Sequence, residues 1–459
     1  MDRFDVAVIG AGPGGYVAAV RAAQMEGRIA VVERGNLGGT CLNWGCIPTK
    51  TMLTAAKFLN AMERAHEFGV RGETSLDWPA LLKKKNRVIL RLRKGIEVLL
   101  RKHSIRLVHG TARIVSRGMI EVVREDGSTE TVSARAIIVS TGSCPTGLPG
   151  LEIDGDRILD SRHALDLEKP PESLLVVGAG AIGCEFAHLL SSVGTRVIIV
   201  ELMDELLPLV ADPDVSGILH QVFRKRGIEI HLGVRVVSAE KGPGGVSVTL
   251  EDGARFEVER VLVSVGRRPN TDGLGLEDAG VEVTRHGIVV DPSMKTTAEG
   301  FWAVGDATGK NALAHVASAQ GVVAAENAMG GSAVLSYDAI PSCVFVEPEI
   351  ATVGLTEVLA EKEGRPVSVG RFPWMALGRA HATGETTGFV KVLVDRESDR
   401  VVGGQVVGPE AASVISEIAL AIHAGVPPGR LVETVHAHPT YPEGVAEAVG
   451  AAVGRAIHA

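Results

Sequence analysis

The chain has 459 residues, 45% of them hydrophobic and 22% charged, and these ordinary values exclude wholesale disorder and a fibrous repeat. The formal net charge of −8 gives no basic field for a phosphate polymer, so nucleic acid is not an expected partner. No uncharged apolar run approaches roughly 18 residues and no presequence is visible, so we expect no membrane span and a cytoplasmic location. The cluster Lys83-Lys84-Lys85 is interpreted as the solvated face of an amphipathic helix.

Two stretches share the same strand–turn–helix–strand order. The first passes from a buried strand through Gly10-Ala11-Gly12-Pro13-Gly14-Gly15 and a helix to a strand that ends at Glu33. The second passes through Gly178-Ala179-Gly180-Ala181-Ile182-Gly183 and a helix to a strand that ends at Glu201. In both, 23 residues separate the first glycine from the closing glutamate. One such turn is a weak signal, but two with matching spacing predict two dinucleotide sites.

The glycines of such a turn let the backbone approach a pyrophosphate, whose charge the helix N-terminus stabilises, while the closing carboxylate accepts ribose hydroxyls. Glu201 would repel a 2′-phosphate and no arginine pair follows it, so the second site favours NAD over NADP. The predicted nucleotide contacts are Gly10, Gly12, Gly15 and Glu33 at the first site, and Gly178, Gly180, Gly183 and Glu201 at the second.

Residues 38–50 contain a close pair of cysteines, Cys41 and Cys46, among five in the chain. On a regular helix five residues rise about 7.5 Å, beyond the usual disulfide Cα separation of roughly 4.4–6.8 Å. A bridge therefore requires a distorted backbone, which Gly45 permits. A bridge across so short a loop contributes little unfolded-state entropy, which is typical of a reducible bond. Cys46 precedes a predicted helix, whose N-terminus would favour its thiolate.

Two other interpretations of the cysteines are available. A zinc site needs about four ligands, and no second cysteine pair or nearby histidine cluster supplies them, so no metal is expected. Buried, inert thiols are an adequate interpretation of Cys144, Cys184 and Cys343. For Cys41 and Cys46 the redox interpretation is stronger.

The C-terminal segment His436-Ala437-His438-Pro439-Thr440-Tyr441-Pro442-Glu443 offers an acid–base group. Thiol–disulfide exchange needs a group that moves a proton on and off sulfur near neutral pH, and an imidazole oriented by a carboxylate suits that task. The residues alone do not choose between His436 and His438, nor do they place either near Cys41.

The pattern of strands and helices predicts an α/β protein with two Rossmann-like dinucleotide-binding domains and a C-terminal α+β domain. Alternating strands are expected over 106–124 and 130–140, with Asp126-Gly127 as a hairpin turn. The expected divisions are a first nucleotide domain over 1–147, a second over 148–268, a central segment completing the first site over 269–336, and an interface domain over 337–459.

Together these segments resemble the class I pyridine nucleotide–disulfide oxidoreductases over nearly the whole chain. The motif Cys41-Leu42-Asn43-x-Gly45-Cys46-Ile47-Pro48-x-Lys50 is highly specific. The other matching segments are residues 10–15, 140–142, 178–185, 266–270, 303–307, 313–315, 348–351 and 436–443. The resemblance implies FAD at the first site, NAD at the second, and electrons that pass from a dithiol through the cysteine pair and FAD to NAD⁺.

The resemblance also implies roles for individual residues. Cys41 looks like the interchange thiol that meets substrate, and Cys46 like the thiol lying against the flavin. Lys50 is similar to a lysine near the flavin and Glu185 to its ion-pair partner, while His438 resembles the acid–base residue that Glu443 orients. The implied FAD contacts further include Thr40, Lys50, Ala112, Thr141, Gly142, Asp306 and Ala314, and the implied NAD contacts include Val236 and Gly266.

Within the family, the likeness is to enzymes that oxidise protein-bound dihydrolipoamide to lipoamide. The implied partner is the lipoyl domain of a 2-oxo acid dehydrogenase complex acyltransferase or another lipoyl protein. The family's histidine–glutamate pair serves the other subunit, which implies an obligate homodimer. Trp44, Tyr441-Pro442 and Ser140 depart from the usual residues. An NAD(P)H-dependent reductase of another low-molecular-weight disulfide is the alternative function, and a nucleotide-binding scaffold is disfavoured by the intact redox residues.

Overall fold

The structure is a computed structural model that describes residues 3–458. These residues form two compact units. The first contains the chain up to Thr51, together with Pro79–Thr146 and Gly266–Ser336. The second contains Met52–Trp78, Gly147–Val265 and the chain from Tyr337 onward.

Helices and strands occupy most of the chain. Up to residue 145 they are β1 (Arg3–Ile9), α1 (Pro13–Gln24), β2 (Ile29–Glu33), α2 (Gly39–Trp44), α3 (Cys46–Arg64), α4 (Trp78–Lys102), β3 (Arg106–His109), β4 (Thr111–Ser116), β5 (Met119–Val123), β6 (Thr129–Val139) and β7 (Ser143–Pro145). From there to residue 263 they are β8 (Ile158–Leu159), α5 (Ser161–Leu165), β9 (Ser173–Val177), α6 (Ala181–Ser191), β10 (Arg196–Val200), α7 (Pro213–Lys225), β11 (Glu229–His231), β12 (Val236–Gly242), β13 (Gly245–Leu250), β14 (Arg255–Val258) and β15 (Arg260–Val263).

The rest of the chain continues in the same way. The elements are β16 (Arg267–Pro269), β17 (Val283–Thr284), β18 (Gly287–Ile288), β19 (Phe301–Ala303), α8 (Ala314–Ala328), β20 (Pro341–Val344), β21 (Ile350–Gly354), α9 (Glu357–Glu363), β22 (Val367–Pro373), α10 (Gly378–Thr383), β23 (Phe389–Asp395), β24 (Arg400–Val407), α11 (Ala411–Ala424), α12 (Pro428–Glu433) and α13 (Glu443–Ala452). Short 3₁₀ turns lie at Ala65–Phe68, Gly305–Thr308 and Trp374–Ala376.

The first unit is built on a seven-stranded sheet in the order β3-β2-β1-β6-β5-β4, with β19 also paired to β6. The pairs β1–β2, β1–β6 and β6–β19 are parallel, and these strands are apolar runs buried on both faces, as parallel strands require. Helix α1 packs against α8 so closely that a Cβ on Gly321 would lie 2.4 Å from Gly14 O. The glycine-rich turn that follows β1 therefore leads into a helix that is packed closely against α8.

The second unit contains a parallel sheet in the order β11-β10-β9-β15-β8. Its strands match β3-β2-β1-β6-β19 of the first unit position by position. In each unit the chain then passes through three antiparallel strands, β4-β5-β6 after β3 and β12-β13-β14 after β11. The repeat expected from the two glycine-rich turns is present as two copies of one sheet order.

The C-terminal part of the second unit is a five-stranded antiparallel sheet in the order β20-β21-β24-β23-β22. Helices α11 and α13 cover this sheet, and their apolar residues share one core with its strands. The predicted α/β fold class with a C-terminal α+β domain is thus the architecture observed.

Two details differ from expectation. Lys85 is buried, so the interpretation of the lysine cluster as a solvated face is wrong for that residue and holds for Lys83 and Lys84. Cys144 and Cys343 are half-buried, whereas Cys184 is fully buried as expected. The unit boundaries fall beside the expected divisions near 147, 268 and 336, but the four-part division itself stays a prediction. Among residues 3–458, no helix combines the length and apolar character that crossing a membrane requires.

Candidate active site

The two cysteines of the motif lie together at the junction of α2 and α3. Cys41 lies within α2, and Cys46 is the first residue of α3, a helix of 19 residues. Both cysteines are half-buried. Hydrogen bonding with Cys46, burial and the negative charge of Cys46 raise the pKa of Cys41, against the opposing charge of Lys50. Cys41 therefore keeps its proton while Cys46, at the N-terminus of a long helix, is placed to carry charge.

The backbone distortion expected between the cysteines is found at Gly45. This residue has φ −136° and ψ −116° and separates the two helices. A Cβ at Gly45 would lie 2.9 Å from Thr40 O and 3.2 Å from Cys41 Cα. Because a side chain would collide there, glycine is what lets the Cys46 backbone approach Cys41. Lys50 follows Cys46 by four residues and so shares its face of α3.

Two residues near the thiols were not expected from the sequence. Burial is the main cause of the raised pKa of Tyr16, a residue in the first turn of α1 that interacts electrostatically with Cys41. Arg93 Nε donates a hydrogen bond to Asn43 Oδ1 within the redox motif. Neither pairing has a local sequence signal, since Tyr16 and Arg93 are ordinary helix positions and lie far along the chain from the cysteines.

The first glycine-rich turn has the form that a pyrophosphate requires. Gly10 has φ +97°, and a Cβ there would lie 2.3 Å from Ser140 O. A Cβ on Gly15 would lie 1.9 Å from Gly10 O. No described side chain caps α1 at Gly12, so the helix N-terminus is left to an anion. The carboxylate oxygens of Glu33 accept hydrogen bonds from the backbone N–H groups of Ala11 and Gly35, both at 2.7 Å.

The second turn repeats this arrangement. Gly178 has φ +100°, and a Cβ on Gly183 would lie 2.0 Å from Gly178 O. Gly180 is the N-cap residue of α6, and no described side chain caps this helix. Glu201 accepts the Ala179 amide at 2.6 Å and the Met203 amide at 2.9 Å. Each glutamate thus fixes its turn, and its oxygens keep further lone pairs for ribose hydroxyls.

A polar network holds Asp306 at the end of β19. Asp306 Oδ2 accepts a hydrogen bond from Ser143 Oγ at 2.5 Å and lies 3.9 Å from Arg267 Nε. Arg267 also donates to Ser143 Oγ at 2.7 Å and to Ser143 O at 2.8 Å. Asp306 is therefore fixed by β7 and β16, two strands that pair with each other.

The other expected FAD residues also lie in the first unit. Thr141 Oγ1 donates to Asn270 O at 2.6 Å, and the Asn270 amide donates to Gly142 O at 2.9 Å. Ala112 is buried in β4, and Ala314 is the first residue of α8. Thr40 is half-buried beside Cys41 in α2. Their contacts to FAD stay predictions.

The expected NAD residues are divided between the units. Val236 is the first residue of β12 and shares the second unit with the turn at 178–183, whereas Gly266, at φ +120°, belongs to the first unit. Glu185 is buried in α6 and accepts the Phe345 amide at 3.0 Å. The ion pair expected between Glu185 and Lys50 stays a prediction.

The histidine–glutamate pair is formed near the C-terminus. His438 Nδ1 lies 2.8 Å from Glu443 Oε1, and the histidine side chain is 77% exposed. Thr440 N donates to the other oxygen of Glu443 at 2.6 Å. The second candidate, His436, is nearly buried and pairs with Glu417 Oε1 at 2.8 Å. Both histidines have a carboxylate partner, but only His438 presents its ring to an incoming group.

The departure at Tyr441 is explained by packing. Its side chain is buried, its ring meets Trp374 edge-on at 5.4 Å, and its hydroxyl lies 2.6 Å from Thr383 Oγ1. Tyr441 thus anchors the segment that carries His438, and it faces the core of the C-terminal sheet. Pro442 is the N-cap residue of α13, which begins at Glu443.

The chemistry of these residues fits the implied cofactors. Each turn has glycines with no room for a Cβ, a helix N-terminus that no described side chain caps, and a glutamate carboxylate bound to its backbone. These features suit two dinucleotides. Two thiols in hydrogen-bond contact at a helix N-terminus suit a redox-active pair. The site defines a flavin-linked disulfide oxidoreductase.

Comparisons with known proteins agree with this class. The family model described as pyridine nucleotide-disulphide oxidoreductase matches residues 4–321, and that of its dimerisation domain matches residues 340–449. Dihydrolipoyl dehydrogenase of Chlamydia muridarum is 40% identical over 100% of this chain and 98% of its own length. Dihydrolipoyl dehydrogenase of Chlorobaculum tepidum is 42% identical over 97% of this chain and 96% of its own. The crystal structure of LpdA from Mycobacterium tuberculosis has a TM-score of 0.91 at 30% identity, covering 97% of this chain and 98% of that one.

The chain therefore belongs to the pyridine nucleotide–disulfide oxidoreductase family. The resemblance on which the expectations rested is confirmed, as are FAD and NAD as the cofactors of that family. The dimerisation domain over 340–449 supports a homodimer.

Proposed function

We propose that this protein oxidises dihydrolipoamide to lipoamide and reduces NAD⁺, with Cys41 and Cys46 as the redox disulfide. The observation that carries the proposal is the thiol pair at the start of α3, whose hydrogen bonding and burial raise the pKa of Cys41. The substrate dithiol loses two electrons and two protons as its own disulfide closes, and the Cys41–Cys46 disulfide takes them up to become a dithiol.

We propose different tasks for the two sulfurs. A substrate thiolate attacks Cys41, and the Cys41–Cys46 bond breaks with Cys46 leaving as a thiolate. The better leaving group is the sulfur whose thiolate is better stabilised. Cys46 has that advantage, because it begins a 19-residue helix and Lys50 lies one turn further along the same face.

His438 would supply the base. Because Glu443 only accepts, His438 Nδ1 carries a hydrogen, and Nε2 is left to take the substrate's thiol proton. The side chain is exposed in one chain, which suits a residue that serves the active site of a second copy. An obligate homodimer is part of the proposal.

FAD would be held by residues 10–15, Glu33, Thr40, Ala112, Thr141, Gly142, Asp306 and Ala314, with Lys50 near its reactive edge. When bound, FAD carries the electron pair from the dithiol to NAD⁺. NAD would be held by residues 178–183, Glu201, Val236 and Gly266. The carboxylate of Glu201 favours NAD over NADP, because a 2′-phosphate would meet negative charge.

The proposed physiological partner is the lipoyl domain of a 2-oxo acid dehydrogenase complex acyltransferase or another lipoyl protein, in the cytoplasm. Support comes from the dihydrolipoyl dehydrogenases of Chlamydia muridarum and Chlorobaculum tepidum, which this chain matches along nearly their full length. The divisions at 1–147, 148–268, 269–336 and 337–459 are proposed as the FAD, NAD, central and dimerisation segments.

Steady-state kinetics would test the assignment. We expect turnover of dihydrolipoamide with NAD⁺ and a much lower kcat/KM with NADP⁺. Glutathione disulfide and other low-molecular-weight disulfides serve as competing substrates with each reduced nucleotide. Turnover of only one of those disulfides, with dihydrolipoamide inert, would make the alternative function the correct one.

A further inference from the structure

Asn43 lies between the two cysteines and ties down the turn that carries them. Its side chain is 6% exposed, and Nδ2 donates to Leu37 O at 3.0 Å and to Gly39 O at 2.7 Å. Helix α2 has six residues and no side-chain cap among the described residues. These two hydrogen bonds fix Asn43 to the backbone just before Cys41. They matter here because a helix as short as α2 has little stability of its own.

Arg93, on α4 and 50 residues further along the chain, binds the oxygen of the Asn43 side chain. Its Nε donates to Asn43 Oδ1. Without that donor the buried amide would keep an unpaired acceptor, which costs about 1–3 kcal/mol in general. Burial lowers the pKa of Arg93, and a guanidinium remains charged at neutral pH, so the bond is charge-assisted.

The opposite side of the turn is fixed by backbone contacts. Gly38 N donates to Ala11 O at 2.8 Å. A Cβ on Gly39 would lie 2.7 Å from Gly12 Cα, so the redox turn rests directly on the first glycine-rich turn. Close packing thus holds one side of the turn that carries Cys41, and the hydrogen bonds of Asn43 hold the other side.

We propose that Arg93 is a positioning residue that acts through Asn43 to hold Cys41 and Cys46 at the separation at which their disulfide forms and opens. The inference rests on the proposed redox role of the pair. Thiols held close together form a disulfide at a high effective concentration. Loosening the turn lowers that concentration, so the disulfide becomes easier to reduce, and kcat falls while KM for the dithiol is unchanged.

The test measures the thiol–disulfide equilibrium of the purified holoenzyme in dithiothreitol buffers of graded redox ratio, by alkylation and mass spectrometry. Arg93→Met is expected to lower the equilibrium constant for disulfide formation by about three- to tenfold. Arg93→Lys keeps the charge without the planar fork and restores part of the loss. Arg91→Met, an exposed position on the same helix, is the control and leaves the constant unchanged.

A second background separates positioning from a general loss of stability. In Asn43→Ser, Arg93→Met should add no further shift, because Arg93 acts through the missing amide. Thermal unfolding and flavin content show which variants fold, and Arg93→Gln replaces Arg93→Met if the latter does not. Equal constants for Arg93→Met and Arg91→Met, or the same Arg93 shift without Asn43, would overturn the proposal. If the wild-type Cys41–Cys46 disulfide forms and opens as expected but the enzyme does not oxidise dihydrolipoamide, the result would contradict the proposed function instead.

Discussion

Glu443 Oε1 lies 2.8 Å from His438 Nδ1, and the second oxygen of Glu443 accepts the Thr440 amide. Burial acts to raise the pKa of Glu443, but the hydrogen bonds from Thr440 and His438 outweigh it and lower that pKa. The carboxylate therefore stays charged as pH falls toward its ordinary value. Over that range it continues to hold the His438 ring through Nδ1.

Removing this charge should slow turnover without unfolding the protein. Glu443→Gln can offer an amide hydrogen to Nδ1, which moves the basic nitrogen away from the substrate. We expect kcat to fall by about 10²-fold, the lower range for general acid–base catalysis. Glu447→Gln is the matched control, because Glu447 lies one turn further along α13 and pairs with His458. Equal rates in the two variants would show that Glu443 does not orient the base.

The buried His188 should make the stability of the protein depend on pH. It is buried in α6, Arg226 Nη1 donates to its Nδ1 at 3.0 Å, and Arg226 also binds Glu347 at 3.1 Å. Burial, together with the charge of Arg226, lowers the pKa of His188 from 6.5 to about 4. Between these values the unfolded chain holds more protons, so stability is complete above pH 6.5 and decreases as pH falls toward 4.

A shift of this size corresponds to about 3 kcal/mol. His188→Gln keeps an acceptor for Arg226 and does not titrate, so its unfolding free energy should change less between pH 7 and pH 4, by up to about that amount. Chemical denaturation at each pH measures the difference. The exposed His66→Gln is the control and should follow the wild-type curve, and a His188→Gln curve that also follows it would remove His188 as the cause.

Lys391 sits at the centre of a cluster of carboxylates in the second unit. It is 0% exposed, and its Nζ lies 2.8 Å from Asp212, 2.7 Å from Asp214 and 2.9 Å from Glu357. Lys391→Ala would remove the ammonium that pairs with buried Asp212 and is expected to lower the unfolding free energy by about 3–5 kcal/mol. Arg371→Met removes a more exposed partner of Asp214 and Glu357 and should cost about 1 kcal/mol or less.

The Lys391→Ala variant allows a second measurement. The three carboxylates offer oxygens within 4.8 Å of one another, a set that suits a hard divalent cation once the ammonium is gone. Millimolar Ca²⁺ should therefore raise the Tm of Lys391→Ala and leave that of Arg371→Met unchanged. No loss of stability in Lys391→Ala would contradict the role of the lysine.

The two glycine-rich turns should be separable by matched substitutions. Gly15→Ala places a Cβ 1.9 Å from Gly10 O, and Gly183→Ala places one 2.0 Å from Gly178 O. We expect Gly15→Ala to lose FAD and its yellow colour on purification, and Gly183→Ala to retain FAD while KM for NAD⁺ rises at least about tenfold. Gly95→Ala, with nothing within 4 Å, controls for a glycine change on a helix. The reverse pattern of losses would exchange the two sites.

Much of the fold was predictable because local patterns and tertiary structure agree. The two turns at 10–15 and 178–183 each require glycine for close backbone approach, and the steric reason is the same in both copies. The break at Gly45 followed from the helix rise alone, since two cysteines five residues apart on one helix cannot be bridged.

The remaining features depend on partners distant in sequence. Lys391 interrupts an apolar strand, and only the approach of α7 and α9 supplies its acids. Arg93 binds Asn43 across 50 residues, and His436 finds Glu417 on α11. A pattern of hydrophobic periodicity contains no record of such pairs, because each partner is an unremarkable polar residue in its own segment.

The most direct test of the redox role of Cys41 and Cys46 is anaerobic mixing of the holoenzyme with dihydrolipoamide, followed by absorbance. The wild type should lose part of its yellow flavin absorbance and gain a long-wavelength charge-transfer band from the Cys46 thiolate. Cys46→Ser should keep its FAD and show neither the band nor turnover with NAD⁺. Reduction of the flavin in Cys46→Ser by dihydrolipoamide at the wild-type rate would contradict the account.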